Sequence, residues 1–330
     1  MNPLTLALAA GSVLFVPCVS AFNAGSFAFS IDNDGIVGTD QNYTNGVFFE
    51  YNSASTLSLE NDAPIPFAYI ANWLPLDENR SKNWNLRLGQ QMWTPEDIEA
   101  NSPPDGERPY AGLLFLEGGI RQFSPLSVDK YNLMIGTVGP NAFAEDTQKF
   151  IHSIIGSDDP MGWDTQIDNQ LVFNLGYEGH RLLTRDKAWA MDEYDLSGIA
   201  RINAGNYQSE LAVGGVIRWG TQLANNFGTT GFTPGKYVDS SVLANSPSGY
   251  FVFTGIEGRY RFNDITIDGD RPTTAPETHV ENWQATAIIG AVYYQPSWGV
   301  SLSLASSTPE FEEDKHSIST TGSLELFWRF

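Results

Sequence analysis

Residues able to do chemistry gather in three stretches of this chain. The first holds Asn33-Asp34, Asp40 and Tyr43-Thr44-Asn45-Gly46, the second Glu96, Asp97, Glu99, Glu107 and Arg108, and the third His152, Asp158 and Asp159. Carboxylates and amide oxygens are the hard ligands that calcium takes, whereas zinc needs more nitrogen or sulfur than one neighbouring histidine supplies. Calcium is therefore the cation these stretches suit. His152 is one of four histidines, and an imidazole is the side chain best suited to take a proton near neutral pH, so it is a candidate base. His180, His279 and His316 lie far from it in sequence and read as structural or solvent-facing. Each group also has a plainer reading. Asn33-Asp34-Gly35 is a common turn sequence, a histidine on a helix is often only packed, and loop carboxylates are often only solvated. Convergence of the three stretches on one rim separates the readings, and that is a question of fold.

The third stretch, residues 139–166, reads as a short amphipathic helix in a chain that otherwise alternates like strands. Asn141 suits an N-cap, Glu145 and Asp146 suit the positive end of the helix dipole, and Gly156 suits the C-terminal stop. Phe143, Thr147, Phe150, Ile151, Ile154 and Ile155 recur at helical spacing, so this face should lie against something apolar, with His152 at its edge. The other segments have period 2. Phe27, Phe29 and Ile31 alternate with Ala28, Ser30 and Asp32, and Val47, Phe49 and Tyr51 with Gly46, Phe48 and Glu50. Further strands are expected near residues 84–93, 110–123, 130–138, 166–182, 187–203, 209–220, 249–262, 279–294, 297–306 and 317–330, twelve in all. Residues 63–76 read as a short apolar plug or interfacial helix, and the Gly/Thr/Ser/Asn-rich stretch ending near residue 248 reads as loop.

The clearest alternation comes late. Trp298, Val300, Leu302 and Leu304 point one way and Ser297, Gly299, Ser301 and Ser303 the other, which suits hydrocarbon outside and a polar lumen inside. Ile318, Leu324, Leu326, Trp328 and Phe330 share a face, and the chain ends on that last aromatic. An all-β fold follows, a twelve-stranded antiparallel transmembrane β-barrel with a short helix in an outer loop. A soluble β-sandwich or lipocalin-like barrel is the alternative. If the chain starts and ends on the periplasmic side, the three polar stretches, as loops 33–43, 94–110 and 139–166, all emerge on the outer face.

Residues 1–21 form an apolar run ending Val19-Ser20-Ala21, a small-residue cleavage site of the secretory kind. Export is expected, with residues 22–330 as the mature barrel. Cys18 is the only cysteine, so the mature chain has no thiol chemistry and no disulfides. The net charge of −21 falls wholly after the leader, which argues against a nucleic-acid partner and is compatible with divalent cations. There is no G-x-S-x-G elbow, H-E-x-x-H or phosphate-binding G-x-x-x-x-G-K sequence.

Asn33-Asp34 with Tyr43-Thr44-Asn45-Gly46, Glu107-Arg108-Pro109-Tyr110-Ala111-Gly112, and Gly139-Pro140 followed by QKFIHSIIGSD, Gly162-Trp163 and Gln166 together carry a resemblance to the outer-membrane lipid A 3′-O-deacylases of the LpxR type. It runs over most of the mature chain. The resemblance implies a bacterial outer-membrane location, a twelve-stranded barrel with its site near the outer rim, lipid A as substrate, and calcium-dependent hydrolysis of the 3′-acyloxyacyl ester. It also implies residue roles: Asn33 and Asp34 at the metal, Thr44 as the active-site hydroxyl, His152 as the base and Asp158 as an acidic partner. Some members have a lysine in the second stretch, whereas residues 94–110 here contain none, Arg108 being the only cation. A non-catalytic pore or scaffold and a barrel phospholipase acting on glycerophospholipids are the competing functions.

Overall fold

The computed structural model describes residues 22–34, 42–189 and 192–330. The leader over residues 1–21, Asp40 and Gly35 lie outside the described residues. The strands are β1 (Ser26–Asn33), β2 (Asn42–Asn52), β3 (Ser81–Thr94), β4 (Ala111–Phe123), β5 (Ser127–Val138), β6 (Gln170–Lys187), β7 (Glu193–Gly205), β8 (Gln208–Gly220), β9 (Gly249–Asp264), β10 (Trp283–Tyr294), β11 (Trp298–Ser307) and β12 (Ser319–Arg329). Each pairs antiparallel with its neighbours in sequence, and β1 pairs with β12 to close the barrel. The period-2 pattern is the cause. Outward positions such as Phe27, Phe49, Leu171 and Ile289 are exposed, while alternate positions such as Ala28, Phe48, Val172 and Ile288 are buried. All twelve expected strands are present. Their ends move by a few residues, most between β6 and β7, where β6 runs on to Lys187 and β7 begins only at Glu193, while residues 166–169 and 279–282 stay in loops.

Asn33 and Thr94 lie at one end of the barrel with the connections 95–110, 139–169, 265–282 and 308–318. Turns 124–126 and 295–297 lie at the other. Three of the five connections at the second end have five residues or fewer, and five of the six at the first have eight or more, so the first end is the outer rim. On the inner side, α1 (Leu59–Asp62) and α2 (Ile65–Ala71) lie against the outer surface of the barrel, with Leu59 and Ala71 packed on Ile120 and with Phe67 stacked on Trp84 at 4.7 Å. Ile65, Tyr69 and Trp73 remain exposed on this hairpin. Of the two readings of residues 63–76, the interfacial helix is found and the plug is not.

The plug is elsewhere. Residues 221–248, expected as loop, leave the inner end and fold into the lumen, where Leu223, Phe232, Tyr237, Val238 and Leu243 join Phe251, Phe253 and Phe327 in the main apolar cluster. Their polar groups are matched to the wall. Arg218 donates to Asp195 at 2.6 Å and to the carbonyls of Leu223 and Asn226, Asn83 donates to Ser241 O, and Asp239 meets Arg121 and Lys130. The backbone of Gly235 is held between Asp32 and Arg87. Composition missed this because the stretch has no period, and its burial depends on lumen charges supplied by distant strands. A cavity of about 130 Å³ remains beside it, lined by such residues as Arg87, Lys236 and Glu310.

A lumen filled in this way should carry no steady current when the purified protein is placed in a planar bilayer, and a stable open-channel conductance would contradict the plug. Asp195 also accepts from Arg185 at 3.0 Å. Asp195→Ala would leave buried guanidinium charge unpaired and should lower unfolding free energy by about 3–5 kcal/mol, read from denaturant-dependent loss of the heat-modifiable band.

Candidate active site

The top of the wall formed by β1, β2 and β3 carries the first group. The Asn33 side-chain amide donates to Thr44 O at 3.0 Å, and the Thr44 and Thr94 hydroxyls share a hydrogen bond at 2.7 Å. A bulge between Tyr43 and Asn45 lets two side chains take different roles at this point in β2. Tyr43 reaches the lumen, where its hydroxyl donates to Asp32, while Thr44 is free to pair with the end of β3. Asp34 is buried, at 2% exposure. Thr94 had no sequence signal of its own; only the β2–β3 register places it opposite the first stretch.

The second group stands on α3 (Ala144–Ile155), which follows a 3-10 turn at Pro140–Ala142. The turn and helix lie along the top of β3 and β4. Gln90 donates to Ala142 O at 2.7 Å, and Ala144 packs with Met92, Tyr110 and Trp163. Gly112 makes this approach possible, because a Cβ there would come within 2.6 Å of the Ala144 Cβ. Likewise a Cβ on Gly162 would come within 2.5 Å of the Tyr110 ring, which itself sits 4.9 Å from Trp163. The motif residues Tyr110, Gly112, Gly162 and Trp163 thus form the seat of the helix. Gln148, which sequence reading passed over, is buried and accepts from the Trp163 indole at 2.7 Å.

Two details of the helix differ from expectation. Its N-cap is Phe143 in the left-handed region (φ 58), because Asn141 is taken into the preceding turn and its backbone N–H is bonded to Asn169. Gly156, with φ 76, closes it as expected, donating to His152 O. Of the described stripe residues, Phe143, Phe150, Ile151 and Ile154 are exposed rather than packed on protein, and among the described positions of the helix Ala144 and Gln148 are the buried ones. Small and amide side chains fit the tight seat, so the bulky ones turn away from it.

His152 is half-buried, and its Nδ1 lies 2.6 Å from the backbone carbonyl of Asp158. A carbonyl only accepts, so Nδ1 carries the proton, and in the neutral ring Nε2 holds the lone pair. That is the tautomer of a base. Asp158 holds the ring through its main chain while its side chain is exposed, as is Asp159. Hydrogen bonds thus join Asn33, Thr44 and Thr94 in one group at the top of β1, β2 and β3, and His152 and Asp158 in another on α3, which is seated on β3 and β4 through Ala144 and Gln148.

Glu96, Asp97 and Glu107 of the second stretch are engaged by other groups. Asp97 accepts from the backbone of Glu99 and Ala100, Glu107 accepts from Asp97 N, and Glu96 meets His316 at 3.2 Å. Arg108 is buried and bonded to Glu310 at 2.6 Å and Thr266 at 2.8 Å, the latter within the short helix α4 (Ile265–Asp268), so it braces the rim. Among the described residues no group of three or more His, Cys, Asp or Glu side chains converges on a metal position. A cation at Asn33 and Asp34 would therefore draw on amide, carboxylate, carbonyl and water oxygens, a donor set that fits calcium and not zinc.

The chain matches the family model described as outer membrane protein LpxR over residues 4–330. It belongs to that family. It is an outer-membrane protein. Among solved structures, LpxR from Salmonella typhimurium superposes with a TM-score of 0.78 at 18% identity, covering 92% of this chain and 100% of that one, a likeness of fold. The β domain of the Bordetella autotransporter BrkA (TM-score 0.42, 8% identity, 94% of this chain and 99% of that one) and an outer membrane channel from Pseudomonas putida F1 (0.42, 9%, 98% and 100%) are far looser. A comparison with curated proteins gives no match.

Gln148→Leu keeps the volume but strands the buried Trp163 N–H, which should cost about 1–3 kcal/mol, felt as faster hydrogen exchange in α3 while the barrel strands stay protected. Equal protection of the helix in the variant would show that this bond does not hold it. At the rim, His279 Nδ1 lies 2.6 Å from Glu313, which raises the histidine above its ordinary range and lowers the carboxyl below its own. The raised histidine contributes stability that is lost as pH rises through its folded value, and the lowered carboxylate contributes stability lost as pH falls through its own. The clasp is thus strongest between those two values, and in an NMR titration Glu313→Gln should shift the His279 midpoint downward; an unmoved midpoint would contradict the pairing.

Proposed function

We propose that the protein is a hydrolase that removes the 3′-acyloxyacyl chain of lipid A, with His152 as general base. The observation that carries this reading is the His152 imidazole, fixed by a main-chain carbonyl in its base-competent tautomer on a helix whose Phe150, Ile151 and Ile154 are exposed. Nε2 takes a proton from a water, and the resulting nucleophile attacks the ester carbonyl. The proton then passes from the imidazolium to the departing sugar oxygen, leaving a hydroxyl on the sugar and a free carboxylate on the chain. Asp158 O keeps the ring aligned through both transfers. Thr44, tied to Thr94, offers a hydroxyl for orienting the water or the ester. Calcium held by Asn33 and Asp34 would supply positive charge for the developing oxyanion. Since Arg108 is committed to Glu310, no cation of the second stretch supports that role. The family membership and the barrel's resemblance to LpxR favour lipid A over a glycerophospholipid, and the filled lumen argues against a pore.

Purified protein in mixed micelles should release the 3′ chain from lipid A, seen by mass spectrometry, and leave glycerophospholipids intact. His152→Ala should lower the rate by about 10²–10⁴-fold with the heat-modifiable barrel unchanged. Chelator should suppress the wild type and added calcium restore it. Undiminished release by His152→Ala would exclude this base, and release from glycerophospholipids alone would exclude the substrate.

A further inference from the structure

The outer wall below the site is not uniformly convex. Phe27 and Phe29 of β1, Phe49 and Tyr51 of β2, Leu86 and Leu88 of β3, and Leu116 of β4 line a groove of about 680 Å³ on the lipid-facing side, within the roughly 300–1,000 Å³ range of small-ligand clefts. Its floor is aromatic, with Phe29 and Phe49 paired across the strands at 5.1 Å between ring centres. The groove is bracketed at both ends. Above, the Pro140–Ala142 turn crosses the wall, fixed by Gln90 donating to Ala142 O. Below, Phe67 of α2 stacks on Trp84, which in turn sits 5.0 Å from Tyr51.

Three of the strands that form the groove, β1, β2 and β3, also carry Asn33, Thr44 and Thr94 at their upper ends. Phe29 stands four residues below Asn33, about 13 Å along the strand, and one leaflet of hydrocarbon is about 15 Å deep. A chain hanging from a carbonyl at the rim would therefore bring its end to the Phe29–Phe49 pair. We propose, on the reading that this site hydrolyses an acyl ester, that the groove seats the acyl chain borne by the scissile ester, and that Phe29, Phe49, Leu88 and Leu116 set the chain length accepted. Bulk added to the floor shortens the seat, and bulk removed lengthens it.

The test uses full-length protein in bilayers containing lipid A whose 3′ chain is either long or several carbons shorter. Leu88→Trp and Leu116→Trp should lower release of the long chain relative to the short by about ten-fold, the low end of what one or two methylenes are worth in an apolar pocket. Phe49→Ala should shift preference the other way, and Leu175→Trp, outward on β6, should match the wild type. Unchanged ratios in the two groove tryptophan variants would overturn the proposal. A lipid A probe with a photoreactive diazirine at the end of the 3′ chain decides the matter without turnover: labelling concentrated on Phe29, Phe49 and Leu88 supports the seat, and labelling spread evenly around the barrel overturns it. Focused labelling with no release from any lipid A would keep the seat and remove the deacylase reading.

Discussion

A peptide group left unpaired in hydrocarbon costs several kcal/mol, so everything here depends on the first and last strands finding each other. Ser26–Asn33 pairs with Ser319–Arg329 over its whole length, and closure leaves no edge facing lipid. It also fixes where the chemistry can be. Once β1 is held between β12 and β2, Asn33 must sit at the outer rim beside Asn45, and Thr44 beside the end of β3. The site's first half follows from the barrel having to close.

The same closure creates a polar interior that has to be filled. The chain is acidic overall, yet its arginines and lysines are concentrated inside: Arg87, Arg121, Lys130, Arg201, Arg218, Arg259 and Arg261 are buried. Arg201 lies between Glu210 and Glu257, and Arg261 between Glu210 and Asp264. Buried charges are tolerated only when paired, and the connection 221–248 completes the pairing by bringing Lys236 to Glu117 and Asp239 to Arg121 and Lys130. Much of the unpaired acid is left to the loops, compatible with a surface that works among divalent cations. The lumen is thereby filled with paired charge, and bulky apolar side chains are left on the lipid-facing wall.

On that wall, the helix that carries His152 is held by small contacts rather than by its bulky residues. Gly112 and Ala144 allow close approach, Gln148 and Trp163 satisfy each other, and Phe150 and Ile154 are left outward. Such a seat gives a histidine fixed in place and an exposed apolar face in one element. Seated on its small side chains and exposed on its bulky ones, the helix shows a pattern that single-face periodicity does not distinguish from an ordinary core helix.

Sequence alone determined the twelve strands and the outward-inward assignment of their residues, because a period of two is a local property that survives any arrangement of neighbours. It also determined that residues 139–166 contain a helix stopped at Gly156, and the motif residues pointed to the family. Only the tertiary structure decided which face of that helix is buried, that Phe143 and not Asn141 caps it, that Thr94 joins Thr44, and that Asp158 acts on His152 through its carbonyl. It alone showed residues 221–248 as the lumen's filling, and Arg108 as a rim brace. These depend on register, on charge partners more than a hundred residues away and on the clearance left by Gly112 and Gly162, none of which a linear pattern contains.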